Sequence, residues 1–185
     1  MNNHSFPSLR SGIGIVAGLL ALALGGCATA SNSASMAAAP VAAVKKHTGS
    51  VSVNVTGGSE TSSMGASKIS SADFAEAIKT SITQSGLFAK LLPTGQTEDY
   101  HLEVAIVRLD QPTFGFSMTV TIESNWTLTR GSDKTAVWQK AIVSTHTAKT
   151  SEAFAGVTRL RLANEGAART NIQDALTQIG ALTLP

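Results

Sequence analysis

The residue best suited to chemistry in this 185-residue chain is Cys27, its single cysteine. A thiol is a nucleophile that can accept a covalent group. Two small residues, Gly25 and Gly26, stand directly before it and would let a peptidase approach the backbone. This arrangement predicts a covalent modification at Cys27 beside a cleavage site.

The segment before Cys27 has the three parts of a secretory signal. Arg10 is the only Lys, Arg, Asp or Glu before Lys45, and residues 13–24 form an apolar run. A run of about a dozen residues is shorter than the roughly 20 that a bilayer-spanning helix requires. Residues 1–26 are therefore predicted to be a signal peptide.

The run Leu-Gly-Gly-Cys at residues 24–27 resembles the lipobox of bacterial lipoproteins. The resemblance implies that diacylglycerol is attached to the Cys27 thiol and that the new amino group is acylated, for example with palmitate. Two or three chains anchor stably where one would be marginal. Ala28, which stands where an Asp would favour the inner membrane, resembles the outer-membrane class and implies a periplasmic domain. The alternative is an ordinary signal peptide with a chance cysteine.

The histidines of the mature chain do not form a recognisable site. His47, His101 and His146 have no ligand partner four residues away, so no zinc or other metal is expected. No Gly-x-Ser-x-Gly elbow is present. Structural roles are favoured for all three histidines, and no catalytic residue is assigned.

Residues 57–61, Gly-Gly-Ser-Glu-Thr, are of the kind that can cradle a phosphate with backbone amides. They lack the following Lys and the immediate helix of a phosphate-binding loop, and Glu60 would repel an anion. A plain loop after a strand is therefore favoured. An enzyme that uses Ser59, Glu60 or a histidine is the least favoured hypothesis.

The last predicted helix carries most of the candidate binding residues. Arg161, Glu165 and Arg169 are spaced four apart and predict a surface ladder of about 0.3–0.5 kcal/mol per pair. Asn164 and Asn171 share one stripe, and these amides either bond the sheet backbone, which is favoured, or form a docking surface. The possible partner-binding residues are Arg159, Arg161, Asn164, Glu165, Arg169, Asn171 and Phe114.

Phe114 and Phe116 lie in or beside a predicted turn at residues 110–113. Core packing at the end of a hairpin is favoured over contact with a hydrophobic partner. Phe116 also begins a long alternation of apolar residues at even positions, which is broken only by Ser124. This alternation predicts a strand with one buried face.

The remaining periodicities complete the predicted order β-α-β-β-β-β-α. Strands are predicted at residues 51–56, 87–92, 100–107, 116–129 and 135–148, and helices at residues 70–86 and 157–180. Gly166 lies inside the second helix, where it suggests a close contact between helix and sheet. The economical fold is α+β, a single mainly antiparallel sheet with two helices packed on one face.

The chain divides into a signal peptide (1–26), the lipidated cysteine with a flexible Ala/Ser-rich tether (27–46), and a periplasmic α+β domain (47–185). Loss of Arg10 from the 14 Lys and Arg leaves 13 against 12 acidic residues, which does not suggest nucleic acid. Aromatic residues are only 5% of the chain, so no stacking platform for bases is expected. With Cys27 lipidated, no thiol remains for a disulfide, and no cofactor is expected.

Three runs resemble small, largely uncharacterised bacterial outer-membrane lipoproteins: T-G-G-S-E-T at residues 56–61, D-F-x-x-A-I from Asp73, and R-L-A-N-E-G-A-A-R-x-N-I at residues 161–172. The architecture is similar to auxiliary lipoproteins of envelope lipid transport and lipopolysaccharide assembly. Neither resemblance implies a catalytic residue.

The leading hypothesis is a membrane-anchored, non-enzymatic accessory protein that binds an envelope protein through its sheet edge or its second helix. The alternatives are a carrier with a lipid or other apolar ligand between helices and sheet, and an enzyme. The oligomeric state stays open.

Overall fold

The structure, a computed structural model, describes residues 29–40, 45–61 and 66–184. The predictions on the signal peptide, Cys27 and Ala28 lie outside these residues. The elements are α1 (Ser33–Met36), β1 (His47–Thr56), α2 (Ser71–Ser85), β2 (Phe88–Leu92), β3 (Tyr100–Asp110), β4 (Met118–Arg130), β5 (Ala136–Ala148) and α3 (Gly156–Ala181).

The five strands form one sheet in the order β2-β1-β3-β4-β5. Strands β3, β4 and β5 pair antiparallel, whereas β1 pairs in parallel with both β2 and β3. The predicted α+β fold with helices on a single sheet is confirmed. The sheet is mixed rather than mainly antiparallel, because α2 returns the chain to the starting end of β1 before β2 begins.

Helix α2 begins and ends where its capping residues predict. The Ser70 hydroxyl oxygen accepts a hydrogen bond from the Asp73 amide at 3.0 Å. Gly86 follows the last turn with φ +61°, in the left-handed region that favours glycine. Phe74 on the buried face meets Trp126 of β4 edge to face, with ring centroids 6.2 Å apart.

Helix α3 lies close against β4 and β5. A Cβ atom at Gly166 would lie 2.2 Å from Cδ2 of His146. The predicted close contact between helix and sheet at Gly166 is therefore confirmed. None of the helices in the described ranges is both long and apolar enough to cross a membrane.

Residues 31–38, which were predicted to belong to a flexible tether, are packed onto the domain. The Asn32 side chain caps α1, and Met36 is fully buried. The Ala38 amide donates to the Ser81 hydroxyl at 2.9 Å, and the Arg169 Nε donates to the Ser35 carbonyl at 2.9 Å. The tether interpretation is wrong for these residues, because partners on α2 and α3 satisfy polar groups that the composition alone left to solvent.

Asp99 fastens the connection between β2 and β3 to strand β1. Its Oδ2 accepts hydrogen bonds from the Ser50 amide and the Ser50 hydroxyl, both at 2.7 Å. The bond from the Ser50 amide, followed by that from the hydroxyl, lowers the pKa of the Asp99 carboxyl. Because the charged form is favoured in the folded state, this group stabilises the fold only where it is ionised.

We expect the contribution of Asp99 to be fully present above the unfolded-state pKa of about 3.9. It should be lost as the pH falls through the lower folded-state pKa. Denaturant unfolding of the wild type and of Asp99→Asn between pH 6 and pH 2 measures this dependence. The variant should lose less stability than the wild type over that range, and an equal loss in both proteins would contradict the assignment.

Candidate functional site

His101 belongs to a polar cluster on the sheet face that carries the odd-numbered residues of β3. Its Nδ1 lies 2.7 Å from the Ser52 hydroxyl, and its Nε2 lies 3.2 Å from Oε2 of Glu103. These are the residue types of a Ser-His-carboxylate site, but Ser52 is fully buried and cannot reach a substrate. Asn54 also donates to both oxygens of Glu103 at 3.0 Å. The cluster therefore joins β1 to β3, a pairing that no sequence pattern indicated.

The other two histidines lie elsewhere in the fold. His47 is buried at the start of β1, with its Nε2 3.1 Å from the Ile179 carbonyl. His146 of β5 faces Gly166 of α3. In the part of the chain that the structure describes, no three His, Cys, Asp or Glu residues are grouped to hold a metal ion.

The loop after β1 uses its backbone amides for internal contacts. The Gly58 amide donates to the Ser71 hydroxyl at 2.9 Å, and the Ser59 amide donates to the Ile69 carbonyl at 2.9 Å. Gly57 has φ +80°, and a Cβ there would lie 2.1 Å from the Ile106 carbonyl oxygen. These contacts give the loop a structural role, as the sequence interpretation favoured over an anion site.

Most of the candidate partner-binding residues on α3 are buried or hold other segments in place. Arg159, Asn164, Glu165 and Asn171 are all buried. Glu165 accepts hydrogen bonds from Arg161 at 2.9 Å and from the Asn32 amide at 3.0 Å. The docking-surface interpretation is wrong for the four buried residues, because their polar groups are turned into the domain.

The two asparagines illustrate this role. Asn164 donates to the Ser67 carbonyl at 2.9 Å and accepts from Gln111 at 2.7 Å. Asn171 receives the Ser124 hydroxyl hydrogen bond at 2.6 Å, which accounts for the one polar residue on the buried face of β4. The favoured structural role of these amides agrees with these contacts.

Phe114 is the exception, because it is almost entirely exposed. Phe114, Phe116 and Phe154 have 87%, 89% and 97% of their surfaces exposed. The first two lie in the β3–β4 loop and the third in the β5–α3 loop, at the same end of the sheet. We call these three residues the aromatic tip. Core packing of Phe114 and the placement of Phe116 within a strand are both wrong, because β4 begins only at Met118.

Arg159 holds together the two loops that carry the aromatic tip. Its Nη1 donates to the carbonyls of Ala153 and Phe154, the former at 2.9 Å, and its Nη2 donates to the Gly115 carbonyl at 3.0 Å. The Arg159 guanidinium therefore links the β5–α3 loop to the β3–β4 loop. Beside it opens a cleft of about 800 Å³ whose apolar lining includes Leu109, Met118 and Leu160.

The described chain before α1 joins the domain near this same end. Ser31 is buried, its hydroxyl lies 3.4 Å from that of Ser67, and its amide donates to the Lys68 carbonyl at 3.4 Å. The Ser67 carbonyl in turn accepts from Gln111 at 2.7 Å. Gln111 is the first residue of the loop that carries Phe114 and Phe116, so Ser31 and the aromatic tip share one end of the domain.

Strand β5 forms a long edge of the sheet. It has 13 residues, about 40 Å of chain, and within the described residues no strand pairs with its outer side. Edge strands are commonly protected by prolines, charges or shortness. Strand β5 has no proline, and Lys140 is its only Lys, Arg, Asp or Glu. Val143, 58% exposed, lies in the half of β5 that follows Lys140, which has no Lys, Arg, Asp or Glu.

No protein-family model and no curated protein matches this chain. Among solved structures, a Xanthomonas campestris protein of the DUF330 family is similar with a TM-score of 0.61 and 15% identity, covering 77% of this chain and 90% of its own. A hypothetical protein from Chlamydia trachomatis has a TM-score of 0.50 and 10% identity, covering 73% and 99%. At these identities the similarity is one of fold.

A minor lipoprotein from Acinetobacter baumannii is also similar, with a TM-score of 0.45 and 11% identity over 71% of this chain and 90% of its own. Its TM-score is too low to carry an argument about this chain.

Proposed function

We propose that this chain is a lipid-anchored, non-enzymatic accessory protein of the bacterial cell envelope that binds an envelope protein through the outer edge of β5. The proposal places the domain in the periplasm and the anchor in the outer membrane. The unpaired edge of β5 is the observation that supports the binding role.

The anchor is supported by the Leu-Gly-Gly-Cys run that ends the apolar N-terminal segment. Diacylglycerol on Cys27 and an acylated amino group would together hold the protein at the membrane. Ala28 favours the outer membrane.

The edge of β5 suits an extended segment of another protein. An added strand takes up the unpaired backbone donors and acceptors, and side chains on alternating positions select the partner. The buried residues of α3 are unsuited to this contact, so the sheet edge is favoured over the helix.

Packing between the layers favours an adaptor over a carrier. Bulky side chains from both layers fill the space between helices and sheet, including Phe74 and Ile78 of α2, Trp126 and Leu128 of β4, and Ile172 of α3, all fully buried. An apolar ligand between helices and sheet would have to displace these side chains. The free-energy cost would be comparable to that of creating a cavity in the core.

A photo-crosslinking residue at position 143, introduced into the full chain in cells that make it, tests the binding role. We expect one discrete adduct with another envelope protein in intact envelopes. Val143→Lys combined with a crosslinker at the neighbouring position 141 should abolish most of that adduct, because a Lys discourages strand addition. The matched control is Val107, a valine 54% exposed on the central strand β3.

A crosslinker at position 107 should not give the adduct, and Val107→Lys should leave the adduct from position 141 unchanged. An adduct between two copies of this chain, or equal adducts from positions 143 and 107, would contradict the adaptor function. So would the absence of any adduct at the β5 edge.

A further inference from the structure

We propose that the aromatic tip, formed by Phe114, Phe116 and Phe154, inserts into the interface of the lipid bilayer and so fixes how the domain stands on its membrane. This inference rests on the lipid anchor of the proposed function. It adds a second contact with the membrane, at residues that no lipid is attached to.

The three phenylalanines of the aromatic tip are almost entirely exposed. Apart from Phe6 in the predicted signal peptide, the chain has five phenylalanines, and three of them are exposed in the two loops at this end of the sheet. Exposed apolar patches mark contact surfaces. Phe, like Trp and Leu, is a residue type that membrane-surface segments bury at the boundary between headgroups and acyl chains.

The chain between the proposed anchor at Cys27 and the domain is short. Ser31 is held against Ser67 and Lys68, and only three residues separate it from Cys27. The four Cα-to-Cα steps from Cys27 to Ser31 span at most about 14 Å. If Cys27 carries lipid, the end of the domain that contains Ser31 must therefore stand next to the bilayer.

The end of the domain that contains Ser31 also carries the aromatic tip. Gln111 contacts the Ser67 carbonyl and begins the loop of Phe114 and Phe116. The opposite end of the sheet, with the β4–β5 hairpin at residues 131–135, lies about 40 Å away along the 13 residues of β4. The short link between Cys27 and Ser31 therefore places the end with the aromatic tip, and not the hairpin end, next to the membrane.

Two further features suit a bilayer. Arg159 donates hydrogen bonds to backbone carbonyls in both loops, those of Ala153, Phe154 and Gly115. These bonds hold the backbone that carries the phenylalanine rings in place. The β3–β4 loop, residues 111–117, has no charged side chain, and in the β5–α3 loop the charge of Lys149 is balanced by that of Glu152. Insertion should therefore depend on apolar contact and not on anionic lipids.

Site-specific fluorescence tests the proposal on the full, lipidated protein in phosphatidylcholine vesicles. Because Cys27 is the only native cysteine, Phe114→Cys and Phe154→Cys each provide one free thiol for an environment-sensitive nitrobenzoxadiazole label. Ser132→Cys, exposed in the hairpin at the opposite end, is the matched control. Mass spectrometry of the mature N-terminus reports the anchor separately.

We expect the labels at positions 114 and 154 to shift to the blue on vesicle binding. They should lose most of their fluorescence when the vesicles contain doxyl-labelled lipid, whereas the label at position 132 should change little. The result should be the same in low and high salt.

An acylated protein whose labels at 114 and 154 stay in water would overturn the insertion and leave the anchor intact. A blue shift without quenching by doxyl lipid would show that a second copy of this chain covers the tip, which also overturns the insertion. An unmodified Cys27 would instead remove the anchor, and the proposed function with it.

Discussion

Replacing Asn171 with Leu is expected to destabilise the domain by about 2–5 kcal/mol, because at least two buried groups would lose a hydrogen-bond partner at about 1–3 kcal/mol each. Asn171 accepts from the Ser124 hydroxyl at 2.6 Å and from the Trp126 indole at 3.1 Å. It donates to the Ile142 carbonyl at 3.1 Å and to the Ser144 hydroxyl at 3.3 Å. One side chain therefore joins α3 to two strands.

Denaturant unfolding measures this loss. Asn125→Ala is the matched control, since Asn125 lies on the same sheet but is exposed on its other face; its effect should stay within about 0.5 kcal/mol. Adding Ser124→Ala to Asn171→Leu should destabilise the domain further, because the buried Trp126 indole, which also donates to the Ser124 hydroxyl at 2.8 Å, would then lose its second acceptor. An Asn171→Leu protein as stable as the Asn125→Ala protein would contradict the role of the network.

Replacing Gly166 with Ala is expected to destabilise the domain, although Ala is the better helix former by about 1 kcal/mol. The added Cβ would lie 2.2 Å from Cδ2 and 2.3 Å from Cγ of His146, so the ring or the helix must move. Overpacking of this kind costs about 1–3 kcal/mol. The unfavourable contact with His146 should therefore outweigh the gain in helix propensity.

The sign should reverse when the imidazole is absent. In a His146→Ala background, Gly166→Ala should stabilise the domain by up to about 1 kcal/mol, because only the helix propensity remains. Thermal or denaturant unfolding of the four proteins in this cycle gives the coupling directly. If Gly166→Ala stabilises both backgrounds, the close contact is not what keeps a glycine in this helix.

Local patterns predicted the elements of the fold well where each element's own residues decide its structure. Ser70 and Gly86 define the ends of α2 through contacts within a few residues. The alternation of β4 predicted its buried face, including Ser124 as the one polar position. Gly166 indicated a close approach, although nothing in the sequence named His146 as the neighbour.

The sequence interpretation failed where a partner lies far along the chain. Residues 31–38 have no apolar periodicity, and their order depends on Ser81, Glu165 and Arg169. The parallel pairing of β1 with β3 joins residues 49 positions apart, such as Ser52 and His101. For the same reason, the residues of α3 that are predicted to form a surface ladder are partly buried. Phe114 and Phe116, for which core packing is predicted, are exposed instead.

The contact between Asn32 and Glu165 has a consequence for the order of folding. It closes a loop of 133 residues, so it forms only after nearly the whole chain has been synthesised. Strands β3, β4 and β5 pair with sequence neighbours and can form first. The segment that is synthesised first therefore reaches its final contacts last, and a chain truncated before Glu165 would lack the docking site of its N-terminal segment.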